Sequence, residues 1–163
     1  MDILTIQNKK DEKFLRRKTG VFDFSKFTKK EIKELLEKMR KTMKAADGVG
    51  LSANQVGLNL RLFVAEVPSQ KGRSKFYAIF NPEIEGQSEK LAMLSEGCLS
   101  VPGLFGAVER SDKITLKGFD AQGKKIKIKA WGFLARVFQH EVDHLNGKLF
   151  IDKAKFPRSM NRE

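Results

Sequence analysis

The order of secondary-structure signals predicts an α+β fold: mostly antiparallel sheet packed around a helix in the C-terminal half, with an amphipathic helix near the N-terminus. Three observations carry this expectation. A helical stripe comes early, a run of short β-rich segments broken by glycine, proline and polar turns follows, and a second helical stripe comes last. Helices and strands are therefore segregated rather than alternating, which disfavours a doubly wound parallel sheet. Without an internal repeat, low-complexity tract or linker, residues 1–163 are expected to form one domain, large enough to bury a core unaided.

Taken in order, residues 1–20 read as an irregular, basic lead-in. Thr28 and Glu31 have the spacing of a capping box, in which a hydroxyl and a carboxylate each satisfy an exposed amide. Behind it, Ile32, Leu35, Leu36, Met39 and Met43 recur at helical spacing, predicting a helix over about 29–45 that stops before Asp47-Gly48. The glycine-punctuated segment Gly48–Gly57 leads to LFVAEV (62–67), a strand candidate. A polar loop, PSQKGRSK, precedes FYAIFNPEI, a second strand that Pro82 should interrupt or end. LAMLSEGCLSVPG (91–103) reads as a short strand running into a turn. ITLKGFD, the turn AQGK and KIKIKAW (125–131) form a hairpin pattern, with Ile126 and Ile128 alternating with lysines as on a half-buried strand. Finally, 131–147 carries Leu134, Val137, Phe138, Val142 and Leu145 at helical spacing and ends at an Asn146-Gly147 cap.

Composition narrows the class. Of 163 residues 40% are hydrophobic and 32% charged, as in an ordinary globular protein, and no apolar run is long enough to cross a membrane. The start offers no apolar run with a small-residue cleavage site, so a cytoplasmic location is expected. A single cysteine forbids an intrachain disulfide and suits a reducing compartment. The net charge of +12 favours polyanionic partners such as ribosomes or nucleic acid, or equally serves solubility, because the lysines are scattered rather than gathered in one arm.

The chain's two histidines fall four residues apart, in His140-Glu141-Val142-Asp143-His144. On a helix, positions i and i+4 share a face, so both imidazoles can converge on one metal ion while Glu141 acts on its water. The lone cysteine, Cys98, sits in a turn flanked by Gly97 and Pro102-Gly103. Such a residue is commonly a small buried hydrophobe, but its thiolate can also reach the histidine pair. Three protein ligands would leave one position open, as catalytic sites do. Gly48-Val49-Gly50-Leu51-Ser52-Ala53-Asn54-Gln55 superficially matches a dinucleotide fingerprint. It follows a helix and leads to a strand, the reverse of what that fingerprint requires. Its glycines permit close backbone approach to a ligand, and Gln55 is either a donor to a developing oxyanion or a solvated turn residue.

GVGLSANQ, EGCLS and HEVDH, in that order, resemble the three signature motifs of the peptide deformylases, and the likeness runs from about Ile3 to Leu149. The resemblance implies removal of the N-formyl group from the initiator methionine of nascent polypeptides, with release of formate. It places the metal ligands on Cys98, His140 and His144, the general acid/base on Glu141, and the oxyanion donors on the Gln55 side chain and the Leu99 backbone amide. Substrate contacts fall on Val49, Gly50, Gly97, Phe133, Arg136 and Val137. One divalent ion is implied, Fe2+ natively, with Zn2+, Ni2+ or Co2+ tolerated. The implied partners are N-formylmethionyl peptides and, through the basic surface, the ribosome; no membrane, no specific DNA and a monomer are expected. Ser52 stands where alanine is usual, a harmless change in size. Arg136, one turn before His140, either snorkels to solvent or makes the methionine pocket narrower and more polar. Asp143 either orients a ligand imidazole or is a solvated helix carboxylate. In the tail KAKFPRSMNRE, Pro157 argues against a long helix.

Three other classes share some of these features. An H-E-x-x-H endopeptidase would cleave internal peptide bonds without needing the cysteine. A basic RNA- or ribosome-binding module would use the metal structurally. A cysteine hydrolase would use Cys98 as its nucleophile and survive chelation.

Overall fold

A computed structural model describes residues 1–68 and 72–159, without the side chain of Phe156. Residues 69–71 of the expected polar loop and 160–163 of the basic tail lie outside it. Three α-helices are present among the described residues: α1 (Lys9–Leu15), α2 (Lys29–Ala45) and α3 (Gly132–Leu145). The strands are β1 (Gly50–Ser52), β2 (Leu62–Pro68), β3 (Ser74–Gln87), β4 (Leu91–Cys98), β5 (Val101–Ser111), β6 (Lys113–Phe119), β7 (Lys125–Trp131) and β8 (Lys155–Ser159). They form a five-stranded sheet, β1-β2-β3-β6-β7, and a three-stranded sheet, β4-β5-β8. Every strand pairing is antiparallel, as the segregated sequence order predicts.

Helix α2 occupies the expected residues, and its capping box is formed. The Glu31 carboxylate accepts from the Thr28 amide at 2.7 Å, and the Thr28 hydroxyl accepts from the Glu31 amide at 3.2 Å. Its apolar stripe buries Ile32, Met39 and Met43 with Leu51, Leu62, Val64 and Phe80 of the larger sheet. Helix α3 buries Val137, Phe138, Val142 and Leu145 against Phe63, Ala65 and Leu116 on the same sheet. Gly147, at φ +72°, takes the left-handed conformation that closes α3, as the Asn146-Gly147 signal requires.

The structure corrects or extends the expectations at four points. The lead-in contains helix α1, capped by Asn8, whose side chain accepts from the Lys10 and Asp11 amides. At seven residues it is too short to display a periodic apolar stripe. Pro82 does not end β3: a register shift between Phe80 and Glu83 absorbs it on the side that pairs with β6. Residues 91–103 do run from a strand, β4, into a turn at Leu99-Ser100, but the chain then returns as β5, with Pro102 and Gly103 inside that strand. The tail adds a strand, β8, on the open edge of β5, where Pro157 is tolerated.

Candidate metal centre

Three elements meet at one end of α3. Strand β4 delivers Glu96, Gly97 and Cys98, α3 delivers His140, Glu141 and His144, and the 3-10 turn Ala53–Val56 after β1 delivers Gln55. The Cys98 Sγ lies 3.2 Å from His144 Nε2, which lies 3.1 Å from His140 Nε2. The three ligand atoms all fall within 4.8 Å of one another. One sulfur and two imidazole Nε2 atoms this close together form a donor set that could hold a single divalent ion of the iron or zinc type.

The tautomer of His140 is set from behind. Glu96 Oε2 accepts from His140 Nδ1 at 3.0 Å, which leaves Nε2 free to ligate. Glu96 is itself clamped. Arg110 donates to both its oxygens, at 2.7 and 2.8 Å, and Arg136 donates to Oε1 at 2.7 Å. Burial alone would raise the pKa of Glu96, but Arg110 and His140 hold it well below the usual carboxylate range. Burial likewise opposes a charge on His140, yet Cys98, Glu96 and Glu141 raise its pKa to about 10. His144 is driven the other way, well below the ordinary value, by burial and by the charges of His140 and Arg110. Its Nδ1 is buried and, among the described residues, has no hydrogen-bond partner.

Glu141 is 3% exposed, and burial is the main cause of its raised pKa. The Ser52 hydroxyl donates to Glu141 Oε2 at 2.7 Å, with the Glu141 carbonyl also 3.0 Å away. The Ser52 amide donates to Gln55 Oε1 at 2.9 Å. That contact fixes which way the Gln55 amide faces, so that its Nε2 donates to Ser100 Oγ at 3.0 Å and lies 3.6 Å from Cys98 Sγ. Ser52 thus ties two candidate catalytic side chains, a role beyond the change in size read from the sequence. Its position beside Glu141 depends on β1 packing against α3 and leaves no periodic signal.

A cavity of about 370 Å³ opens over this centre. Val49, Gly50, Gly97, Phe133, Arg136 and Val137 all line it, together with Gln55, Cys98, Leu99, His140 and Glu141. His144 does not; it approaches from behind. The wall also includes Phe105, overlooked in the sequence because β5 was not anticipated; its ring packs where a Cβ on Gly97 would stand. Arg136 does not snorkel to solvent. It is 6% exposed, and besides Glu96 it donates to the carbonyls of Val108 and Ala92 at 2.9 and 2.6 Å. Among the described residues Asp143 makes no hydrogen bond to an imidazole. It accepts from Arg110 at 2.7 Å and from Lys153 at 2.8 Å, and so acts through the clamp on Glu96.

The sequence pattern of the polypeptide deformylases matches residues 2–159. This chain belongs to the polypeptide deformylase family. Its activity is that of a metallohydrolase removing the N-formyl group from nascent peptides. It is 48% identical to the peptide deformylase of Halothermothrix orenii over 129 residues, covering 79% of this chain and 80% of that one. A probable peptide deformylase from Synechococcus phage S-SSM7 superposes with a TM-score of 0.84 at 39% identity, covering 94% of this chain and 99% of the other. The Acinetobacter baumannii enzyme, solved with Met-Ala-Ser bound, gives a TM-score of 0.84 at 30% identity, covering 94% and 97%.

Proposed function

We propose that Cys98, His140 and His144 hold one ion, natively Fe2+ with Zn2+, Ni2+ or Co2+ able to replace it, and that Glu141, Gln55 and Leu99 carry the hydrolysis of N-formylmethionyl peptides. The observation that carries this reading is the convergence of one sulfur and two ring nitrogens within 4.8 Å, beside a buried carboxylate. When bound, the ion would make hydroxide available near neutral pH and polarise the formyl oxygen. Glu141 accepts the proton of the attacking water and returns it to the departing amine, for which a carboxylate with a raised pKa is suited. The Gln55 side chain and the Leu99 amide donate to the developing oxyanion, each worth on the order of 10²–10³ in turnover. Gly50 and Val49 align the peptide backbone. Val137, Phe133 and Gly97 shape an apolar wall for the methionine side chain, and Arg136 supports that wall from within. The bound Met-Ala-Ser of the Acinetobacter enzyme has the form of a deformylated product, and we extend that binding mode to this cavity.

We read residues 1–163 as one catalytic domain acting as a cytoplasmic monomer next to the ribosome, to which its net charge of +12 would draw it. Among the described residues no helix is long and apolar enough to cross a membrane. The deciding experiment is formate release from formyl-Met-Ala-Ser by anaerobically prepared protein, beside an N-acetylated peptide of the same sequence. We expect turnover of the first alone. Glu141→Ala should keep its metal and lose turnover by several orders of magnitude. Cleavage of internal peptide bonds, or activity that survives metal removal and is stopped by alkylating Cys98, would overturn the reading.

A further inference from the structure

The hairpin of β6 and β7 presents a second surface that shares no lining residue with the catalytic cavity. β7 is the edge strand of the larger sheet. Alternation puts Ile126, Ile128 and Ala130 towards the core and Lys125, Lys127, Lys129 and Trp131 outwards. Register sets Lys113 opposite Trp131 and Lys117 opposite Lys127, so lysines from both strands share this outer face. Glu83 pairs with Lys117 at 3.4 Å and Glu85 with Lys127 at 2.8 Å. Lys113, Lys125 and Lys129 make no ion pair among the described residues. Trp131, the chain's only tryptophan, is 62% exposed. Its backbone is needed where α3 begins, but nothing in that junction requires an indole. It borders a groove of about 530 Å³, walled by Gln87, Ser88, Lys113, Thr115 and Lys129.

From this arrangement we propose that the β6–β7 face binds single-stranded RNA, with an unpaired base stacked on Trp131 and phosphates on Lys113, Lys129 and Lys125. Outward residues on one strand stand about 6.8 Å apart, so Lys125 and Lys129, with the Glu85-paired Lys127 between them, are about 13.6 Å or two such steps apart. Each outward step is close to the spacing of phosphates in a stretched single strand, so Lys125 and Lys129 would meet every second phosphate. An exposed aromatic amid unpaired lysines is how sequence-tolerant single-strand binders hold their ligand. A membrane surface would instead call for a broad apolar face, whereas here a single indole stands among cations. The proposal rests on charge and register alone and is independent of the metal-centre assignment.

Because Trp131 is the sole tryptophan of this sequence, the metal-loaded protein carries its own reporter. Titration with a 12-nucleotide oligouridylate at low salt should quench its emission. Three phosphate contacts predict a log–log salt slope of about −2. The double variant K113E/K129E should lose at least tenfold in affinity while formyl-Met-Ala-Ser turnover stays unchanged. W131A should weaken binding of fluorescein-labelled oligouridylate, read by anisotropy, with its thermal midpoint recorded alongside. Failure to bind, or binding without quenching, would overturn the proposal. So would equal quenching by inorganic polyphosphate, unaltered affinity in K113E/K129E, or tighter association with phosphatidylserine vesicles than with RNA.

Discussion

Glu96 Oε2 accepts from His140 Nδ1 at 3.0 Å, while both carboxylate oxygens are held by Arg110. The candidate ligand His140 is therefore oriented by a charge that is not itself one of the three ligand atoms. Glu96→Gln preserves shape but removes that charge, and partners of this kind are typically worth 10- to 100-fold in metal affinity. We expect a loss of that size, measured by competition with a chromogenic chelator. Unchanged affinity would mean that the ligands are oriented without Glu96.

Arg136 joins three acceptors on two strands from inside α3. Truncating it leaves buried oxygens without a partner, and breaking a buried pair in this way is strongly destabilising. Arg136→Ala should lower stability by about 3 kcal/mol, read from the urea midpoint. A stability change near zero, with altered preference for the first side chain of the peptide, would make Arg136 a pocket residue alone.

Gly50 lies directly under the candidate base. A Cβ there would come within 2.8 Å of Glu141 Cδ and 3.1 Å of its Cγ. Gly50→Ala must therefore displace the carboxylate, and a shift of about 1 Å at a reacting group costs on the order of 10²-fold. We expect kcat to fall by about that factor with metal content unchanged. Full activity would show that Glu141 need not occupy its present rotamer.

Away from the centre, Glu66 accepts from Arg40 and Ser74 at 2.8 Å and pairs with Lys44 at 3.0 Å. These hydrogen bonds, that of Arg40 foremost, lower its pKa from 4.5 to about 2. A carboxylate depressed in the folded state adds stability above its unfolded pKa, and that stability disappears as pH falls through the folded value. Glu66→Gln should thus be less stable than the parent at pH 6, with the gap closing between about pH 4.5 and 2. A gap that does not change with pH would assign the effect to packing.

Much of this molecule is written locally. Thr28 and Glu31 announce α2, the lysine–isoleucine alternation announces β7, and the spacing of Leu134, Val137, Phe138, Val142 and Leu145 announces α3. Elements without a local signature escape such a reading. Helix α1 is seven residues long, and β5 contains Pro102 and Gly103 yet is held by pairing with β4 on one side and β8 on the other. The same division runs through the site. Cys98, His140 and His144 stand out by residue type and scarcity. By contrast, the Glu96–Arg110–Arg136 clamp and the contact from Ser52 to Glu141 join residues up to 89 apart in sequence, and only folding brings them together.

The capture of Cys98 at the end of β4 and of two histidines on α3 also bears on folding. An ion held there would tie the smaller sheet to the helix that packs on the larger one, so loading and folding are linked by mass action. A cell short of the metal would then lose this enzyme twice, as catalysis forgone and as chains that unfold more often and are cleared by proteolysis.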